Sequence, residues 1–250
     1  MNAPPTASQV ERKLVKSADP ARAIVLQRFF KTGPGEYGEG DRFLGLTLPQ
    51  IRAEVRALRQ FPIAEVEKLL ESRWHEVRVL AATLLADQYP RADASTRRAI
   101  YQLYLRRTDR LNNWDLVDVS APKVVGGHLM ERSRAPLRRL ARSRSLWERR
   151  IAMVSTHAFI RQGDFDDALA IARMLLDDDH DLIHKAVGWM LREVGKKDER
   201  VLRAFLDRHA ADMPRTTLRY AIERLSPTLR ARYMAVRPRV SRARSRATGR

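Results

Sequence analysis

The sequence predicts an all-α fold built as a helical-repeat solenoid with a concave basic face, and three observations carry that expectation. After residue 18, nearly every segment spaces its apolar residues helically among strong helix formers, and no stretch alternates apolar and polar residues as a half-buried strand does. The segments Arg78-Val-Leu-Ala, Trp114-Asp-Leu-Val, Arg149-Arg-Ile-Ala, Lys185-Ala-Val-Gly and Arg219-Tyr-Ala-Ile begin 36, 35, 36 and 34 residues apart, the length of a helix pair with its turns. Four of the five open on a cation, Arg78, Arg149, Lys185 and Arg219. Stacked second helices would set that charge along a concave side, one repeat apart.

In chain order, the N-terminus is polar and mixed in charge, so residues 1–17 are expected to be flexible and residues 18–236 to form one continuous repeat domain. Gly33 to Gly40 is rich in glycine but has no following Gly-Lys-Ser/Thr and no preceding strand. It reads as a connector, not a phosphate-cradling loop. Thr47 with Gln50 makes a capping-box pattern ahead of Ile51, Val55 and Leu58, and Asp164 opens another helix through Ala168, Ile171 and Leu175. Pro62, Pro90, Pro122 to Gly127, Gly163, Pro214 and Pro227 mark the remaining breaks. Residues 237–250 carry Arg237, Arg239, Arg242, Arg244, Arg246 and Arg250 with no acid among them. They are expected to be a disordered arginine-rich tail, either solubilising or an accessory arm for phosphate.

At 250 residues with 44% hydrophobic content, the chain has enough apolar material for a sizeable core. Its 48 Lys and Arg against 30 Asp and Glu give a net charge of +18, and removing the six tail arginines still leaves +12. An anionic polymer is the natural counterpart, bound largely through counterion release. With no cysteine, disulfides, thiolate catalysis and Cys-type zinc or iron–sulfur sites are excluded. The longest apolar run, Val79 to Ala82 with Leu84 to Ala86 beyond Thr83, is too short to cross a bilayer, so a cytoplasmic protein without a membrane partner is expected.

Three stretches carry candidate chemistry. In Asn112-Asn113-Trp114-Asp115-Leu116-Val117-Asp118, helical spacing sets Trp114 and Asp118 on one face, an indole beside a carboxylate on a basic surface. Leu146-Trp147-Glu148-Arg149-Arg150-Ile151-Ala152 is the second. In the third, His184 to Glu193, Lys185, Trp189 and Arg192 form a stripe of cation, aromatic and cation, and Gly188 inside the helix implies close approach by something. His180 and His184 stand four apart beside Asp177, Asp178, Asp179 and Asp181, but no glutamate occupies the zincin position. That cluster reads as a polar turn before a helix, and no metal site is expected. His75, His128, His157 and His209 are scattered and suggest no nucleophilic triad.

In order and spacing, Trp114-Asp-Leu-Val-Asp118, Trp147-Glu-Arg-Arg150 and Lys185-Ala-Val-Gly-Trp189-Met-Leu-Arg192-Glu resemble the three signatures of the AlkD family of bacterial DNA alkylation-repair glycosylases, over about residues 20–235. The resemblance implies HEAT-like repeats around a basic channel and release of N3- and N7-alkylated purines from duplex DNA. It makes Asp118 the catalytic carboxylate, Trp114 and Trp189 contacts to the deoxyribose, Arg150 a support for the same site and Arg192 a phosphate contact. Phe29 takes the approximate place of a family aromatic that is usually tyrosine, and Asp181 and Leu182 stand where the family tends to carry aromatics.

With the charge pattern, the DNA-facing set becomes Phe29, Arg78, Arg149, Lys185, Arg192 and Arg219. The implied enzyme is a monomeric, monofunctional glycosylase without a cofactor, since no lysine is placed for Schiff-base chemistry. Two alternatives remain: a non-catalytic HEAT-like protein that holds branched or distorted DNA, and a protein-binding helical scaffold, which would not call for so strong a cationic bias.

Overall fold

A computed structural model describes residues 4–238; most of the arginine-rich tail predicted from 237 lies outside the described residues. Among them, all regular structure is helical, apart from a lone bridge between Arg42 and Trp74. None of these helices is long and apolar enough to cross a membrane. The chain divides into two compact units, Met1–Arg132 and Ser133–Arg250, a boundary that the composition of residues 18–236 does not announce.

The first unit contains α1 (Ala7–Lys16), α2 (Pro20–Phe29), α3 (Leu48–Ala57), α4 (Ile63–Leu70), α5 (His75–Gln88), α6 (Ala94–Arg106) and α7 (Trp114–Ala121). The expectation of a flexible start fails at α1. Thr6 and Gln9 form a reciprocal capping box, and Ala7, Val10 and Leu14 are buried where α1 packs on α4. Three apolar residues at helical spacing suffice here because they share one face, whatever the polarity of the segment as a whole. The predicted capping box of Thr47 and Gln50 does open α3.

Helix α5 is the centre of this unit, buried from His75 through Leu85 except at Thr83 and packed against α3, α4 and α7. Pro122 does not break the chain as predicted: α7 runs on into a π-type turn over Pro122–Gly126. A wide turn tolerates the proline's missing N–H without ending the helical path.

The second unit contains α8 (Ala135–Ala141), α9 (Leu146–Ser155), α10 (His157–Arg161), α11 (Asp166–Met174), α12 (Asp181–Lys197), α13 (Glu199–His209), α14 (Arg215–Ile222) and α15 (Pro227–Met234). Helix α12 buries Ile183, Ala186, Val187, Met190, Leu191 and Val194 on one stripe, the spacing of an amphipathic helix. The five recurring segments fall on α5, α7, α9, α12 and α14. Within each unit, helices one period apart are stacked neighbours: α5 packs on α7, and α12 packs on both α9 and α14.

The connector between α2 and α3 folds back onto the start of α5. The Glu76 carboxylate accepts from the backbone N–H groups of Leu44 and Gly45, both at 2.8 Å, and of Leu46 at 3.2 Å. Asp19 N–H donates to Leu44 O at 2.7 Å. Gly45 has φ +82°, and a Cβ there would lie 2.1 Å from Asp19 O and 2.9 Å from Ala23 N. Gly45→Ala is therefore expected to lower stability by at least about 1–3 kcal/mol from conformation alone. An unchanged midpoint in chemical denaturation would contradict this account of the connector.

Candidate active site

In the first unit, the site is built on the first turn of α7. Asn113 caps the helix, its side-chain oxygen accepting from Trp114 N–H at 2.8 Å and its Nδ2 donating to Asp41 at 3.2 Å. The Trp114 indole is only half-buried, yet it is held in place. Phe30 stacks on it with ring centres 5.1 Å apart and planes 12° apart, and Phe29 meets it edge-on at 6.0 Å. The stack continues from Phe30 to Phe43 at 5.0 Å and from Phe43 to His75 at 4.5 Å. Aromatic pairs in these geometries each add about 0.5–1.5 kcal/mol beyond the area they bury.

Beneath the rings lies a buried ionic cluster. His75, with 2% of its side chain exposed, sits 3.1 Å from Asp41 through Nδ1 and 2.8 Å from Asp115 through Nε2. Both ring nitrogens face carboxylates, so both must donate, and the ring is an imidazolium. Burial alone would drive the proton off, but Asp115 and Asp41 together outweigh it and lift the pKa to about 9. Arg78 completes the cluster, bonding Asp41 and donating to Ser72 O at 3.0 Å. For Asp41, burial works against ionisation, yet the bond to His75, the Arg78 charge and Asn113 hold its carboxyl below the usual range. Two cations and two carboxylates thus neutralise one another, with Asp115 alone partly open to water.

Asp118 stands one turn beyond Trp114 on the same helix and is half-buried. Ser120, on the buried side of α7, takes a hydrogen bond from Tyr104 at 2.8 Å and donates to Leu116 O at 2.5 Å. Burial pushes the Tyr104 hydroxyl well above its ordinary range, against the Ser120 bond, and the charge of Asp118 adds to the rise.

In the second unit, Arg150 is 5% exposed and donates to Leu182 O at 2.6 Å, at the start of α12. Arg149 grips Asp178 through Nε at 2.5 Å and the carbonyls of Ser143 and Arg144 at 3.1 and 2.9 Å. On α12, the Trp189 indole N–H donates to Glu193 at 3.2 Å, with the His157 ring 6.1 Å from it. Lys185 pairs with Asp181 at 2.8 Å, and Arg192 bonds Glu223. Arg219, on α14, is exposed. Gly188 is explained by α14, because a Cβ there would lie 2.5 Å from Tyr220 Cβ and 2.6 Å from Thr217 O. The close approach inferred from the sequence is therefore that of a neighbouring helix.

Residues 10–225 match the family model described as DNA alkylation repair enzyme. The chain belongs to the DNA alkylation repair enzyme family. Among solved structures, it is similar to a chain titled "Predicted DNA alkylation repair enzyme from Enterococcus faecalis", with a TM-score of 0.65 and 17% identity over 84% of this chain and 97% of that one. At that identity the likeness is one of fold. No curated protein matches. Membership supports a role in the repair of alkylated DNA, and with it an interaction with DNA.

Against that family role, the residues singled out from the sequence separate into groups. Trp114 and Phe29 are in contact, with Asp118 one turn along, and Lys185, Trp189 and Arg192 share the partly exposed face of α12. Arg78 is a correction. At 3% exposure and ion-paired with Asp41, it cannot offer charge to a phosphate backbone. Its repeat position matches the others, but α5 is the buried centre of its unit. Arg149 likewise spends its charge on Asp178. The sequence reading missed Phe30, Asp41, Phe43 and His75. His75 had no sequence partner because Asp41 and Asp115 lie 34 and 40 residues away, and only the fold brings them together.

Proposed function

We propose that this member of the DNA alkylation repair enzyme family is a monofunctional glycosylase that hydrolyses the N-glycosidic bond of cationic N3- or N7-alkylated purines in duplex DNA. The observation that carries the reading is the α7 turn, where a half-exposed indole is clamped against Phe30 and a carboxylate follows one turn later, with the intervening Asp115 already neutralised by His75. The AlkD-like motif pattern supports the same assignment. An alkylated purine already bears positive charge and leaves as a neutral base, so the general acid of ordinary glycoside hydrolysis is not needed.

As the bond breaks, charge moves to the sugar. Asp118 stabilises it and orients the attacking water, and the indole face of Trp114 favours the same cation. Trp189 and Arg150 keep the roles that their motif positions imply, and Phe29, Lys185, Arg192 and Arg219 contact the DNA strand. Arg149 plays its part through the turn it holds at Asp178.

Selectivity follows from lesion charge: release is expected for 7-methylguanine and 3-methyladenine and not for uracil, a neutral base. Quantifying free base after incubation with duplexes carrying each lesion tests this directly. Comparable release of uracil would remove the charge argument. Tight DNA binding without any release would point to a non-catalytic holder of distorted DNA, and lack of DNA affinity at low salt to a protein scaffold.

A further inference from the structure

We propose that His75 is a positioning residue for the α7 site: its imidazolium, locked between Asp41 and Asp115, fixes the first turn of α7 and with it the direction of the Trp114 indole and the Asp118 carboxylate. Only the activity arm of this proposal rests on the glycosylase reading above.

His75 is the first residue of α5, where the helix dipole disfavours a cation. Such a placement holds only if stronger partners compensate, and here two carboxylates do so from two other elements. Asp115 reaches it from α7, and Asp41 from the connector, where Arg78 of α5 and Asn113 of the α7 cap hold it in turn. The remaining walls are rings: Phe30 lies 4.9 Å from the imidazole and Phe43 4.5 Å. The same Phe30 stacks on Trp114. His75 therefore acts on the α7 turn in two ways, by its bond to Asp115, which neighbours Trp114, and through Phe30 to the indole itself.

A further consequence concerns Asp118. Asp115 and Asp118 are three apart on one helix, near enough for their charges to interact. With His75 on Asp115, the ion-paired carboxylate adds little negative field to its neighbour. Without it, two like charges share the turn, and the working carboxylate changes in both direction and charge environment.

The test uses the full chain with His75→Gln and Asp115→Asn, variants that keep size and remove the ion pair. The first readout needs no activity: the four indole N–H signals in a proton–nitrogen NMR spectrum, assigned by single Trp→Phe changes. We expect either variant to move the Trp114 signal and leave those of Trp147 and Trp189 in place. Should His75→Gln fail to fold, Asp115→Asn decides by the same criterion. An unmoved Trp114 signal overturns the proposal, as does equal displacement of all four, which would mean general loosening.

The second readout is single-turnover base release beside affinity for undamaged duplex. Misplacing a reacting group by an ångström costs up to about 10²-fold in rate, so a fall of at least about tenfold with affinity nearly unchanged is expected. The double variant should lose no more than the worse single, because the bond that Asp115→Asn removes is already gone in His75→Gln. Rate and affinity falling by the same factor, or additive losses, would overturn positioning. If the wild-type protein releases no base, the functional reading fails, and the Trp114 signal still decides the role of His75.

Discussion

Asp118→Asn is expected to slow release of 7-methylguanine by about 10²–10³-fold, the range seen when one preorganised electrostatic group is removed from a reaction centre. Asparagine keeps the shape of the side chain and its place one turn beyond Trp114, so affinity for undamaged duplex should change by less than about twofold, well within the effect of one surface charge. The comparison of the two numbers is what makes the experiment decisive. A carboxylate that merely paired with a neighbouring cation would alter stability or binding and leave the release rate alone. If Asp118→Asn releases base at the wild-type rate, the carboxylate is not the catalytic group, and the α7 assignment has to be abandoned even though family membership stands.

The second large effect is on stability. Asp41 faces both buried cations of its cluster, His75 and Arg78, with 5% of its own side chain exposed. Removing it by Asp41→Ala leaves an arginine charge without its carboxylate in the interior, and breaking a buried pair from one side costs about 3–5 kcal/mol. The loss should also change with pH in a defined direction. His75 has its pKa raised from 6.5 to about 9 in the folded chain, so the folded state holds the proton more tightly than the unfolded one. That contribution is complete below the unfolded value of 6.5, declines as pH rises and is gone above about 9, and it amounts to on the order of 3 kcal/mol.

Urea midpoints for the wild-type chain are therefore expected to fall from about pH 6.5 to about pH 9, and those of Asp41→Ala to start lower and fall less. At the acid end the sign reverses. Asp41 itself is held below the usual carboxylate range, so its contribution is present above 3.8 and lost as pH drops through the depressed value. A wild-type profile that is flat or rising between neutral pH and about 9 would show that His75 is not an imidazolium in the native protein.

How far the sequence reaches can be seen at particular residues. The period of 34–36 residues and the helical spacing are written locally, and the helices that carry them do stack within each unit. Trp114 and Asp118 were readable as partners because a helix guarantees that residues four apart share a face. Lys185, Trp189 and Arg192 share a face of α12 for the same reason. Arg78 is buried: a repeat position specifies a place on a helix but not which helix lies at the centre of a unit. Residues 7–16 are helical despite their polarity because Ala7, Val10 and Leu14 share one buried face.

What the amino-acid order determined by itself was the set of local interactions: helical period, caps, the tally of charge, and neighbours three and four apart, since these depend on backbone geometry that every residue shares. What only the tertiary structure decided was which charges are sequestered and which rings touch. Asp41, His75 and Asp115 meet across 34 and 40 residues of chain, and Phe30 reaches Trp114 from the C-cap of α2. Contacts of that kind arise from burying apolar faces against one another, and the side chains carried along with those faces leave no periodic mark in the sequence.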